Sequence, residues 1–421
     1  MEGQSPYPLL ERCPLEILDH ILDHLHDDKA TLQSCSLVCQ TFLTSTRFHL
    51  FYSIRITGVE TKKTFDNFAT FVQTSPHVAS NVRELYLHPP STPTSAICYQ
   101  EPTKIVCSIL CVVVFHLPQL RVLDIRFAYC NFDGPPKLLP VNRLRKIVLE
   151  VVEFDTCPDS FLNAMRTCPD LKVVDIRKSY WTSGIGGVKD SVIGSGPQIQ
   201  ALTLGHCRFA SLTTFLNTIQ SKLCFSSLTS LDIICGSLDD AVMVGNLVEE
   251  VGGSLLDLRL RLGSLLLQGT NAETCSKSLK LEHCTALRSF NILLTASNAL
   301  NKLFRILLLS VQSIPSVAVI HRMIIGFTLH SEDPLQKLLM GLPWDEADEV
   351  IGSMKHLKEV SISLKEDLVL DRPTPVLEES LLRRVPRCRF IHLYPHHISG
   401  YLSSSLTIGP LHLLDNPNLN V

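Results

Sequence analysis

The chain has 421 residues, 45% apolar and 19% charged, and a formal net charge of -3 at pH 7. This composition excludes an intrinsically disordered chain, which would be too polar to build a core. The near-neutral charge argues against nucleic acid or an anionic membrane as the main partner, and the length is typical of about two to three domains.

Fifteen cysteines are scattered along the chain, an odd number without paired spacing. Most lie in apolar runs, where a free cysteine behaves as a small hydrophobic residue. This usage predicts a reducing compartment, and we therefore expect a cytoplasmic or nuclear protein, or one found in both.

The first clear helical pattern covers residues 13–42. Apolar residues recur at helical spacing from Leu15 to Leu25, and Pro14 before them suits a first helical turn. Asp28 can cap a second helix, and a third is predicted up to Tyr52. Three helices in about forty residues form a unit too small to bury all its apolar surface, which points to a protein partner.

Two stretches of this unit, CPLEILDHI at residues 13–21 and LVCQTF at residues 37–42, carry a family pattern. They resemble the F-box, which opens with Leu-Pro-x-Glu-Ile-Leu-x-x-Ile and ends near Leu-Val-Cys-x-x-Trp. Cys13 replaces the first leucine and Phe42 the tryptophan. The resemblance covers residues 10–55.

The F-box resemblance implies docking to a Skp-family adaptor and, through it, to a cullin ubiquitin ligase. The residues that would form or support the adaptor surface are Pro14, Leu15, Ile17, Ile21, Leu22, Leu37, Val38 and Phe42. The alternative for each is packing inside the three-helix unit, which we expect for Leu18 and Leu25.

Two longer apolar runs follow, at residues 105–117 and 303–327. The first ends before Pro118 and is too short to cross a bilayer, so a buried helix is expected there. Arg305, Pro315 and Arg322 interrupt the second run. The sequence therefore predicts no contact with a membrane.

From about residue 80 onward, a pattern of apolar-x-x-apolar-x-apolar recurs eleven times, with helical stretches between the copies. Proline often separates helix from strand, since it cannot continue a helix. The copies are 24 to 38 residues apart, and their central residues are Leu85, Leu123, Ile147, Val174, Leu202, Leu231, Leu258, Phe290, Phe327, Val360 and Ile391.

Strand alternating with helix at a period of about 30 residues is typical of a solenoid. The pattern resembles the leucine-rich repeat and matches it most fully from Ile199 to Phe209, with Cys207 at the Asn/Cys position. We therefore predict an α/β fold with a small N-terminal helical unit (residues 10–55) and an irregular leucine-rich-repeat solenoid (residues 56–400) of about eleven units. The solenoid should have a curved parallel sheet with helices outside, and residues 401–421 are either a cap or a loose tail.

Charged residues between the apolar strand positions should point away from the core. A row of mixed charge can recognise a protein target, although a solvated strand face is the alternative for any one of them. The candidate target-binding residues are Asp124, Arg126, Asp175, Arg177, Asp257, Arg259 and Arg261.

No catalytic or metal-binding pattern is evident. His20 and His24 are four residues apart, but Ile21 stands where a zinc protease needs glutamate. The glycine-rich residues 184–197 lack a phosphate-binding motif. We therefore expect neither an enzyme nor a cofactor. The leading hypothesis is a substrate-recognition subunit of a Skp–cullin–F-box ubiquitin ligase, and the alternative is a repeat scaffold whose F-box-like start has decayed or serves other contacts.

Overall fold

The protein is an α/β solenoid of the leucine-rich-repeat type, preceded by three short helices. The computed structural model describes residues 14–57, 61–88, 103–106, 113–131, 143–154, 158–181, 196–205, 207, 212–263, 271–296, 300–329, 341–366 and 394–395. Residues 401–421, the predicted cap or loose tail, lie outside this part of the chain, as do the glycine-rich residues 184–195.

The N-terminal helices are α1 (Leu15–His24), α2 (Lys29–Ser36) and α3 (Gln40–Tyr52). As predicted, Asp28 caps α2, because its side chain accepts a hydrogen bond from the backbone N–H of Thr31 at 3.0 Å. The remaining helices are α4 (Thr61–Thr74), α5 (Pro76–Ala79), α6 (Pro158–Arg166), α7 (Leu212–Lys222), α8 (Leu238–Val251), α9 (Ala272–Ser278), α10 (Leu300–Ser313) and α11 (Trp344–Gly352), with a 3-10 helix at Leu281–His283.

All described strands belong to one sheet, and all their pairings are parallel. The strands are β1 (Ser53–Ile56), β2 (Glu84–Leu87), β3 (Thr103–Val106), β4 (Val122–Asn131), β5 (Lys146–Phe154), β6 (Val173–Arg177), β7 (Tyr180–Trp181), β8 (Ala201–Gly205), β9 (Ser230–Cys235), β10 (Asp257–Gly263), β11 (Ser289–Ala296), β12 (Arg322–Leu329), β13 (Glu359–Glu366) and β14 (Tyr394–Pro395). Except for β3 and β7, which pair at the ends of β4 and β5, the strands lie side by side in chain order.

One face of the sheet is apolar and packs against the helices. The apolar strand positions of successive units are in register, so that Val174 pairs with Leu202, which pairs with Leu231, which pairs with Leu258. Together with helix residues such as Phe215 they form one continuous buried core. This arrangement confirms the predicted solenoid, since no single unit has enough surface to bury its own apolar face.

The opposite face carries the residues that alternate with this core, and we call it the open face. Along its middle row, the register joins Asp124 on β4 to Val148, Asp175, Thr203 and Asp232 on the next four strands. The candidate target-binding residues lie on this face.

Cys207 occupies the position where the leucine-rich repeat has asparagine or cysteine. It is half-buried, and its thiol donates to the carbonyl oxygen of Ile176 in the preceding unit at 3.3 Å. Burial raises the pKa of Cys207 to about 12, so the group stays a neutral donor. The residue thus links two neighbouring units.

Three sequence-based assignments need correction. The sheet begins one unit earlier than predicted, because Ile54 on β1 pairs with Leu85. In the unit around β12, Met323 and not Phe327 pairs with Phe290. Because this long strand alternates throughout, the repeat pattern can be aligned on either residue, and both alignments place Phe327 in the core. Residues 105–106 belong to β3, so the expected buried helix is wrong at its start.

Candidate functional site

The three N-terminal helices bury only a narrow apolar stripe. Leu18 and Leu22 of α1 are 6% and 1% exposed, and Leu32 of α2 is fully buried. Leu18 and Leu22 are four residues apart and therefore lie on one side of the helix. Leu22 was predicted to form or support the adaptor surface; it is inside the bundle and can only support it. Leu25 is half-buried.

Five other large apolar side chains of this unit remain in contact with solvent, and we call them the N-terminal apolar surface. Their exposed fractions are 59% for Leu15, 51% for Ile17, 49% for Ile21, 86% for Leu37 and 56% for Val38. Outside this unit, five large hydrophobic residues of the described chain are at least 38% exposed, and they are spread from α4 to the loop before β12. A soluble unit rarely leaves so much apolar surface open without a partner.

Two further residues of the predicted adaptor surface are less distinctive. Pro14 is exposed directly before α1, while Phe42 is half-buried at the start of α3. On α1 itself, Ile17 and Ile21 share one side of the helix, and Leu15 lies on the other side of the buried stripe.

Helix α3 joins the N-terminal unit to the solenoid without a linker, since it ends at Tyr52 and β1 begins at Ser53. The backbone N–H of Arg83 donates to the carbonyl oxygen of Tyr52 at 2.8 Å. The guanidinium of Arg83 also lies 5.7 Å from the ring centroid of Phe48. These contacts fix α3 against the first units of the sheet.

Two hydrogen-bonded contacts hold α1 on α3. Ser45 donates a hydrogen bond to Asp19, and the imidazole of His49 lies 3.0 Å from the carboxylate of Asp23. The α1 part of the N-terminal apolar surface, Leu15, Ile17 and Ile21, is therefore held on α3, which is itself attached to the sheet.

On the open face, two units repeat the tripeptide Asp-Ile-Arg. In β4, Arg126 forks onto both carboxylate oxygens of Asp124, at 3.0 and 3.1 Å. In β6, Arg177 makes the same paired contact with Asp175, at 2.8 Å for both bonds. Bidentate pairs of this kind hold both side chains in a fixed orientation.

The two aspartates have opposite electrostatic settings. Burial alone would raise the pKa of Asp124, but His88 and Arg126 beside it outweigh this effect and leave the pKa below its ordinary value. Burial raises the pKa of Asp175, and Arg177 offsets it only in part. Repulsion from the charge of Asp232 adds a smaller upward effect on this pKa, so the ionised form is less favourable at Asp175 than at Asp124.

Sequence reasoning missed the acid that organises the next part of the face. Asp232 on β9 is 6% exposed, and one of its oxygens, Oδ2, accepts from Arg261 at 3.0 Å and from Arg259 at 3.3 Å. Asp232 alternates with apolar Leu231 and Ile233, which is the signal that could have found it. Asp257, which was predicted, is exposed at the start of β10 and has no ion pair among the described residues.

The described residues contain no group of three histidine, cysteine or acidic side chains that could hold a metal ion. No helix within the same ranges is long and apolar enough to cross a bilayer.

Comparison with known proteins gives likeness of fold only. No family model and no curated protein matches the chain. Among solved structures it is similar to TLR13 in complex with ssRNA13, at 11% identity and a TM-score of 0.33, over 76% of this chain and 47% of that one. It is also similar to the plant peptide hormone receptor RGFR1 in complex with RGF2, at 11% identity and a TM-score of 0.28, over 84% of this chain and 53% of that one.

A third similar structure is the leucine-rich-repeat ectodomain of GASSHO1/SCHENGEN3 from Arabidopsis thaliana, at 11% identity and a TM-score of 0.23, over 78% and 43% of the two chains. The chain thus spans about half the length of the solved structures that it matches. At these TM-scores the likeness carries no argument about function.

Proposed function

We propose that this protein is a substrate-recognition subunit of a Skp–cullin–F-box ubiquitin ligase that acts in the cytoplasm or nucleus. In this role the N-terminal helices dock a Skp-family adaptor, and the solenoid binds a target protein. The observation that carries the proposal is the N-terminal apolar surface, which coincides with positions of the F-box-like pattern.

The N-terminal apolar surface would supply part of the free energy that docking needs. Fully burying a leucine or isoleucine is worth about 1.5–3 kcal/mol, so a side chain that is half exposed offers about 1 kcal/mol. Five such side chains together offer about 5 kcal/mol to a partner before any hydrogen bond is counted.

The protein's contribution to ubiquitin transfer would be geometric. Because α3 continues directly into β1, an adaptor on the helices and a target on the sheet would be held at a defined separation. Holding two reactants close raises their effective concentration and replaces an encounter in solution.

The test is capture of a purified Skp-family adaptor and cullin by the full chain. Ile17→Asp combined with Ile21→Asp removes about 2 kcal/mol of apolar burial and places two carboxylates in the interface, so capture should weaken by at least about 100-fold. The matched control is Val242→Asp with Val317→Asp, two apolar residues that are 40% and 65% exposed elsewhere.

The control variant should capture the adaptor like the wild type. If the wild type captures neither protein, the ligase role is wrong. If the Ile17 and Ile21 variant captures both as well as the control does, the docking surface is misplaced.

The second candidate is a repeat scaffold that binds proteins without an adaptor. It is favoured by Phe42, which is half-buried and stands where the F-box pattern has tryptophan. Target binding on the open face without any adaptor capture would select this candidate.

A further inference from the structure

Two arginines on β10, Arg259 and Arg261, share one acidic partner, Asp232 on β9. Arg259 and Arg261 both bind Oδ2 of Asp232, while Oδ1 of the same carboxylate is buried and accepts no hydrogen bond among the described residues. Two guanidinium groups thus share one oxygen of one acid. A buried acceptor without a donor costs about 1–3 kcal/mol. An arrangement in which Oδ1 of Asp232 also accepted a hydrogen bond would therefore be lower in free energy.

The two arginines differ in access to solvent. The side chain of Arg259 is 41% exposed and that of Arg261 is 20% exposed, whereas the side chain of Asp232 is only 9% exposed. If a carboxylate of a bound ligand formed an ion pair with Arg259, the guanidinium of Arg261 could turn to bind both oxygens of Asp232. Bidentate pairs between arginine and a carboxylate are stronger than single bonds, so the exchange would relieve the unbonded Oδ1.

The surface next to the arginines is apolar. In the register of the sheet, Arg261 lies beside Leu293, and Arg259 lies beside Asn291, which lies beside Ile324. Leu293 and Ile324 are half-buried. Gly326 provides no side chain, and a methyl group there would lie 2.6 Å from Cδ1 of Leu293, so Leu293 lies flat over the glycine.

The spacing of these groups suits an extended peptide. Ile324 is two strands from Arg259, or about 10 Å, because neighbouring strands are about 4.8 Å apart. A polyproline II chain has three residues per turn and rises about 3.1 Å per residue, so a carboxylate and an apolar side chain three positions apart lie on the same side and would reach Arg259 and Ile324 together.

We infer that the open face from β9 to β12 binds an acidic segment of the target protein in polyproline II form, with a carboxylate on Arg259 and an apolar side chain on Leu293 and Ile324. This inference rests on the proposed role of the solenoid as the target-binding part. It names the chemistry of that target: an aspartate or glutamate followed at three positions by a large apolar residue.

The probe is a fluorescein-labelled peptide of glycine and serine that carries one glutamate and one leucine three positions apart. Its partner probe has glutamine in place of glutamate. Fluorescence anisotropy is measured with the purified full chain. We expect the glutamate peptide to bind about fivefold more tightly than the glutamine peptide, the scale of one partly exposed ion pair.

Arg259→Gln should abolish this preference. The matched control is Arg305→Gln, since Arg305 is also an exposed arginine in a single ion pair, with Glu273, but lies on α10 away from the open face. Asp232→Asn frees both arginines without changing the shape of the side chain, so it should tighten binding of the glutamate peptide. A role of Asp232 in packing alone would not produce that gain.

The inference is overturned if the wild type binds both peptides alike or binds neither. It is also overturned if Arg259→Gln keeps the preference, or if folded Asp232→Asn binds the glutamate peptide more weakly than the wild type does. Thermal melting of each variant by circular dichroism shows whether it is folded, and Arg259→Gln decides the test if Asp232→Asn is not. Because the peptide assay needs no adaptor, its failure is distinct from failure of adaptor capture.

Discussion

The close packing of α8 on the following unit predicts a large effect for a very small substitution, Gly245→Ala. A Cβ atom at Gly245 would lie 1.8 Å from the carbonyl oxygen of Ser278 and 2.9 Å from its carbonyl carbon. Gly252 is seven residues further on and therefore lies on the same side of the helix. A Cβ atom at Gly252 would likewise lie 2.5 Å from the carbonyl oxygen of His283. Both neighbours are backbone atoms, which cannot rotate out of the way.

The size of the effect follows from two opposing terms. Ordinary contact begins at 3.4 Å, so α8 and the next unit would have to separate by more than about 1 Å along this line. Overpacking of this kind costs up to about 3 kcal/mol, while alanine in a helix gains about 1 kcal/mol over glycine. The free energy of unfolding should therefore fall by about 2 kcal/mol.

Urea unfolding followed by circular dichroism measures this loss as a lower midpoint at an unchanged slope. The matched control is Gly253→Ala, because a Cβ atom at Gly253 meets nothing within 4 Å. That variant should stay within about 0.5 kcal/mol of the wild type. If Gly245→Ala is as stable as Gly253→Ala, the two units are not packed backbone to backbone, and the reasoning is refuted.

Two further predictions concern an ion pair of the open face and the N-terminus of α8. Since the pKa of Asp124 is lowered on folding, its charge stabilises the fold above the ordinary aspartate pKa of about 3.9, and this contribution is lost as the pH falls through the lower folded value. Asp124→Asn should therefore cost more stability at pH 7 than Asp175→Asn, whose aspartate has a raised pKa. Urea midpoints at pH 7 and at about pH 3 would contradict this if the order at pH 7 were reversed or if the Asp124→Asn loss did not shrink in acid. The side chain of Ser237 caps α8 by accepting a hydrogen bond from the backbone N–H of Asp240 at 3.1 Å. Ser237→Ala should therefore lower the free energy of unfolding by about 1 kcal/mol in the same urea assay. An unchanged urea midpoint would contradict this prediction.

The repeat frame was predictable from the sequence wherever a strand is short and its apolar residues alternate. In β8, for example, Leu202 and Leu204 face the core as expected. The frame failed in β12 because its eight residues alternate throughout, so that the pattern fits at Met323 as well as at Phe327. The unit at Ile54 was missed because its apolar residues directly follow those of α3 and look like part of the same run.

The functional surface was less accessible to sequence reasoning. Ile17 and Leu22 are both apolar and both fall on helical stripes, and only packing against the other helices decides that one is exposed and the other buried. The ion pairs of Asp232 are equally hidden, since Arg259 lies 27 residues along the chain and becomes a neighbour only through the register of β9 and β10.

The direct passage from α3 into β1 has a consequence for how this protein could change in evolution. A partner on the N-terminal helices and a partner on the open face are separated by a counted number of strands, each adding about 4.8 Å. Inserting or deleting one unit between them would move the two partners by one such step without altering either contact surface. The number of units between β1 and β9 therefore sets the distance between the two partners, and insertion or deletion of units would change that distance by one strand spacing at a time.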